Sequence, residues 1–199
     1  MSDRRQQILD AAIAVLGTRG LRALTHRAVD AQAGLPEGST SNGYRTRDAL
    51  VGAVLDRLVE IETQVWQRLV AERTGPPASP DELAQLVGAM VLQLTGPARH
   101  LTLARHAAFH EAAFQPELQD RIRTARDRLA AWGTPWIAAL SSPDPRTDYL
   151  SMLALVDGLV AIQLACPDAD FDPVPAIRTM LAGLSAGSSQ NAASRKPRR

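Results

Sequence analysis

Cysteine is nearly absent from this 199-residue chain. Cys166 stands alone, so no intrachain disulfide can form and a reducing compartment is the simple expectation. No apolar run reaches the roughly 18 residues that suggest a membrane helix. The opening MSDRRQQILD lacks the apolar core of a secretory signal. A cytoplasmic protein with no membrane partner is therefore expected. Aromatic residues make up only 4% of the chain, so its three tryptophans and three phenylalanines must be used sparingly. Strand-like alternation and internal repeats are missing. So are a Ser-His-Asp arrangement, a phosphate loop, a dinucleotide fingerprint and a metal-ligand cluster of convincing spacing. The sequence thus gives no reason to expect an enzyme or a cofactor.

Net charge is lacking as well, at +1, but its distribution is uneven. Residues 1–50 hold seven arginines against five acids, and residues 51–185 hold 11 basic against 16 acidic residues. A basic unit on an acidic body fits phosphate contact at one end only.

What is present is helical periodicity punctuated by proline and glycine. Ile8, Leu9, Ala12, Ile13 and Leu16 form one stripe on a first helix over residues 4–17. Thr25 caps a second short helix, in which Ala28, Val29 and Ala33 face the first. Gly34 makes the turn, and Pro36 can open a third helix. A long helix over 46–72 carries Leu50, Val54, Leu58, Ile61, Val65 and Leu69 at three- and four-residue steps. Further helices are expected over 79–96, 98–113, 116–132 (with a kink or restart at Thr134-Pro135), 146–165 and 172–184. Ser79 and Glu82 have capping-box spacing. The fold class is all-α. A three-helix head at 1–48 leads through a long helix into a helical ligand-binding and dimerisation body at 49–185. A disordered basic tail occupies 186–199.

The segment THRAVDAQAGLPEGSTSNGYRTRDAL, from Thr25 to Leu50, carries most information. Two small helices joined by a glycine turn make a helix-turn-helix, whose second helix enters the DNA major groove. Ser39, Thr40, Ser41 and Asn42 lie on that second helix with short polar tips able to reach bases or phosphates. Asn42 suits a bidentate contact with adenine. Thr25, Tyr44, Arg45 and Arg47 flank it and suit phosphates, and Arg27 completes the expected DNA-facing set. One short helix makes few contacts, so a homodimer on a palindromic double-stranded operator is expected.

Thr25, Val29, Ala33-Gly34-Leu35, Gly38-Ser39, Tyr44, Arg47 and Leu50 resemble, in order and spacing, the DNA-binding domain of TetR-family transcriptional regulators. The resemblance covers about a quarter of the chain. Asp30 stands where a small apolar residue is common, Ser41 where tyrosine is frequent, and Gly43 where an aromatic or histidine is usual. Tyr44 replaces phenylalanine and Arg47 replaces lysine. The resemblance implies an operator-binding regulator, usually a repressor, released by a small-molecule effector. It also implies that helices 116–132 and 146–165 pair with their copies. The apolar Leu150, Leu153, Leu155, Val156, Leu159, Val160, Ile162 and Leu164 support that pairing independently.

An effector pocket is expected from some of Trp66, Met90, Leu94, Leu103, His106, Phe109, His110, Phe114, Trp132, Trp136 and Met152, with Arg105 and Gln163 as polar tips. His106 and His110 share a helix face, but HAAFHE has no evident third ligand, so no metal is expected. The rival reading is a helical small-molecule-binding protein or enzyme that does not bind DNA.

Overall fold

The computed structural model describes residues 3–71 and 75–183, with all side chains but those of 66, 67 and 69–71. Among the described residues there is no strand. The elements are α1 (Asp3–Arg19), a 3-10 turn (Leu21–Ala23), α2 (His26–Ala33), α3 (Ser39–Gly43), α4 (Arg47–Ala71), α5 (Pro80–Thr95), α6 (Arg99–Ala112), α7 (Pro116–Ala139) and α8 (Pro145–Ala165). A further helix, α9, covers 174–183. The expected disordered tail and the residues after 183 lie outside the described part.

The chain forms two compact units. The first contains α1 to α4, α6 and the start of α7 as far as Ala125. Its core begins with the predicted stripe of α1, which buries Ile8, Leu9, Ala12, Ile13 and Leu16, and adds Ala11, Val15 and Gly17. α1 extends two residues past the expected stop, to Arg19 before Gly20 at φ 76°, and Gly17 within it lets α6 approach. A Cβ there would lie 2.0 Å from the His100 carbonyl oxygen. α4 contributes Leu50, Val51, Val54, Leu55 and Leu58, and α6 contributes Ala104, Ala108 and Ala112. Farther along α4 the stripe fades, and Val65 is 48% exposed. Arg57 is buried on α4. Its guanidinium donates to Asp10 at 2.9 Å and to Glu60 at 2.8 Å, tying α4 to α1.

The second unit contains α5, the rest of α7, α8 and α9. Ser79 caps α5 by accepting from the Glu82 N–H at 3.1 Å, and Glu82 reaches back to the Ala78 N–H at 2.7 Å. α7 runs through Pro135 as one helix rather than restarting. Side chains pack directly onto the backbone at two glycines. A Cβ on Gly88 would meet Val174 at 2.5 Å, and one on Gly133 would meet the Tyr149 ring at 1.9 Å. Asp144 caps α8 by accepting from the Thr147 N–H at 3.3 Å. α8 buries Tyr149, Met152, Val156, Val160 and Leu164 along one stripe. Leu153, Leu155 and Leu159 are half-buried and Ile162 is 69% exposed. With a mean hydropathy of 1.5 over 18 residues, α8 is long and apolar enough to cross a bilayer, a test that core helices also pass.

Candidate nucleic-acid interface

The glycine corner forms as its residue types require. The Thr25 hydroxyl accepts from the Ala28 N–H at 3.1 Å and caps α2. Gly34 adopts φ 65°, a left-handed conformation costly for any residue with a Cβ. Its N–H reaches Ala31 O, and the Leu35 N–H reaches Asp30 O at 2.9 Å, which satisfies the last carbonyls of α2.

α3 is shorter than expected. Pro36 does not open it. Pro36 instead stands in a preceding turn, where its carbonyl accepts from the Ser39 N–H at 3.1 Å, and Gly38 at φ 90° leads into the helix. The short α3 sorts the four small polar residues by face. Ser39 and Thr40 are buried, Ser41 is half-buried and Asn42 is exposed. The expectation that all four reach outward is therefore corrected, since a single turn of helix cannot present consecutive residues on one side. Ser39 donates its hydroxyl to Pro36 O at 2.5 Å, and Ser41 donates to Gly38 O at 3.0 Å. Asn42 makes no hydrogen bond to the described residues through its carboxamide.

Thr40 is held by Asp30, itself 2% exposed. One carboxylate oxygen accepts from the Thr40 N–H at 2.7 Å and from its hydroxyl at 2.5 Å. The other accepts from the Gly38 N–H at 2.8 Å. Burial pushes the Asp30 carboxyl up. The Thr40 hydroxyl, the two N–H donors and nearby His26 outweigh that and hold it below its ordinary value.

The flanking residues divide likewise. Arg27 and Arg45 are exposed, and Arg27 meets Glu37 only at 3.8 Å across solvent. Tyr44 is core rather than surface, 6% exposed, with its hydroxyl accepting from Arg5 at 3.0 Å. Its ring can bury because α3 ends there and the chain turns into α4. Arg47 donates to Leu21 O and to Glu111, both at 3.2 Å, so its guanidinium already braces the unit. Sequence reasoning missed Arg4 and Arg5. Arg4 donates to Ser39 at 2.9 Å, so the exposed start of α1 lies against both ends of α3. The adjacent arginines on a helix start were the available signal.

The expected ligand-facing residues fall in two places. Leu103, His106, His110 and Phe114 line an open groove of 610 Å³ within the first unit, with Leu16, Leu21 and Glu111. Phe109 packs against that unit's core beneath the Arg105 guanidinium, 5.2 Å from its ring centre. In the second unit Trp132 and Trp136 face each other with ring centroids 4.7 Å apart, Met152 is buried and Met90 and Leu94 are half-buried. The Gln163 side chain closes the loop after α8 through the Asp168 backbone. The Trp66 side chain lies outside the described part. No group of three metal-ligand side chains occurs among the described residues.

Residues 78–187 match the profile of the tetracyclin repressor-like, C-terminal domain. No curated protein matches the sequence. Among solved structures, the chain is similar to the multidrug binding protein EbrR complexed with ethidium, at 30% identity and a TM-score of 0.68 over 92% of this chain and 98% of that one. It is also 30% identical to a TetR-family member from Streptomyces coelicolor A3, with a TM-score of 0.64 and coverage of 92% and 98%. A transcriptional regulator from Rhodococcus sp. Rha1 shares the fold at a TM-score of 0.74, with 24% identity and coverage of 94% and 97%.

Proposed function

Because the chain belongs to the TetR family of transcriptional regulators, we propose that it is a cytoplasmic homodimeric repressor that leaves a palindromic operator when a small molecule binds. The observation that carries the DNA half is the face of α3. Asn42 is exposed and uncommitted, Ser41 stands beside it, and Arg4, Arg5, Arg27 and Arg45 lie exposed around the helix-turn-helix. In this reading Asn42 makes the base contact and the arginines take phosphates. Thr25 adds its hydroxyl proton, which its cap bond leaves available. Arg47 acts mainly as a brace, and Tyr44 as a core anchor for α3.

The dimer half rests on α8, whose apolar side chains outnumber the stripe it buries. Pairing of 116–132 and 146–165 with their copies would cover Ile162 and complete two half-sites one helical turn apart. The effector half is supported by EbrR, which binds ethidium, a planar aromatic cation. A ligand of that class would stack on Trp132 and Trp136 or lie against the His106–His110 face. By linkage, operator DNA must then weaken ligand binding by the same factor as the ligand weakens operator binding.

Selection of random duplexes by the purified protein, followed by gel-shift titration, tests the reading. Palindromic enriched sites and loss of binding in an Asn42→Ala/Arg45→Ala variant are expected. No enrichment, or equal binding by that variant, would contradict it.

A further inference from the structure

α3 is five residues long and bounded by Gly38 and Gly43, too short to hold itself together in water. Something outside the helix must fix it. The Asp30 carboxylate is buried on α2 and takes three hydrogen bonds from the first turn of α3: two N–H groups and the Thr40 hydroxyl. We infer that Asp30 is the positioning residue of the recognition helix, fixing from inside the rotation that turns Ser41 and Asn42 outward.

The inference rests on the DNA-binding reading above and adds to it a residue buried behind the DNA-facing surface. Asp30 sits one turn before Gly34, so it is anchored on the rigid side of the corner. Its oxygens engage residues 38 and 40, which brackets the start of α3 from both sides of Ser39. Arg4 then closes over Ser39 from α1. A carboxylate is the group this pocket needs. It accepts on both oxygens, whereas an apolar side chain would leave the buried Thr40 N–H and the part-buried Gly38 N–H without partners. An amide would set an NH2 donor against one of the three donors.

The test compares Asp30→Asn, Thr40→Val, Thr40→Ser and Asp10→Asn with wild type on a duplex selected by wild type and on a random duplex. Asp10→Asn weakens the Arg57 tie in the same unit without touching α3, so it reports the effect of lost stability alone. Asp30→Asn is expected to lose about tenfold or more in specific affinity while binding random DNA about as wild type does. Its Gly38 and Thr40 amides should exchange faster in the DNA-free protein. Thr40→Val should show a smaller loss in the same direction, and Thr40→Ser should restore wild-type discrimination. Equal specific-to-random ratios in wild type and Asp30→Asn would overturn the inference. So would equal losses of discrimination in Asp30→Asn and Asp10→Asn. If wild type itself bound no duplex, the regulator reading would fail first and take this inference with it. Binding by wild type with discrimination unchanged in Asp30→Asn would sink the inference alone.

Discussion

The two units bury different kinds of side chain. Among the described residues, every buried polar or charged group other than tyrosine lies in the first unit: Asp30, Ser39, Thr40, Arg57 and Thr102. The second unit buries apolar groups and Tyr149, and Val174 and the Tyr149 ring pack directly onto its backbone at Gly88 and Gly133. A satisfied polar network fixes one geometry, because any slip leaves a buried donor or acceptor without a partner. Apolar packing is non-directional and accepts several arrangements at similar energy. Under the function proposed above, presenting Ser41 and Asn42 to DNA in one orientation suits the first device. Under that same proposal, a partner surface built on α8 suits the second.

The comparison can be broken most severely at its polar centre. Asp30→Ala should destabilise the first unit by about 3 kcal/mol, since the buried N–H and hydroxyl of Thr40 and the part-buried Gly38 N–H lose their acceptor. Chemical denaturation measures this, and a loss below about 1 kcal/mol would show that water replaces the carboxylate. Next in size are the steric tests, one in each unit. Gly17→Ala drives a methyl into the His100 backbone, and Gly133→Ala drives one into the buried Tyr149 ring. Each should cost about 2 kcal/mol after the gain in helix propensity. Tyr149→Leu should relieve the Gly133 variant and leave the Gly17 variant unrelieved.

Titration separates the units by sign. The folded-state carboxyl of Asp30 is depressed, so its stabilisation is complete above the ordinary carboxylate range and is lost as pH falls through the folded value. Burial pushes the Tyr149 phenol up to about 12 from 10.0. Its contribution is complete below pH 10 and is lost as pH rises toward 12. Stability profiles should therefore show an acid arm removed by Asp30→Asn and an alkaline arm removed by Tyr149→Phe. The smallest effect is expected for Arg178→Ala. Its ion pair with Asp81 is half exposed on both sides and should contribute less than about 1 kcal/mol.

Much of this was legible in the sequence where a local rule decides the outcome. Thr25, Gly34 and Ser79 mark helix ends through hydrogen bonds made within a few residues, and the α1 stripe is buried as its spacing indicates. Where a distant partner decides, the pattern was silent. Gly17 is buried inside α1 because His100, far along the chain, packs against it. Pro36 has the chemistry of a helix start, whereas α3 begins at Ser39, between the Gly38 and Thr40 N–H groups that Asp30 accepts from. Tyr44 and Arg47 have the chemistry of phosphate contacts, yet contacts with Arg5, Leu21 and Glu111 engage them inside the unit. Asp30 was visible as a departure from the family pattern, and its partners at residues 38 and 40 explain why an acid stands there.

Titration of a wild-type-selected duplex against Asn42→Ala and Arg45→Ala, at several salt concentrations, tests the face of α3 most directly. The account predicts that Asn42→Ala loses about 1–3 kcal/mol of discrimination at one base pair per half-site with its salt slope unchanged. Arg45→Ala should weaken all duplexes alike and lower the slope by about one. Undiminished discrimination in Asn42→Ala, or wild-type binding that ignores salt, would contradict it.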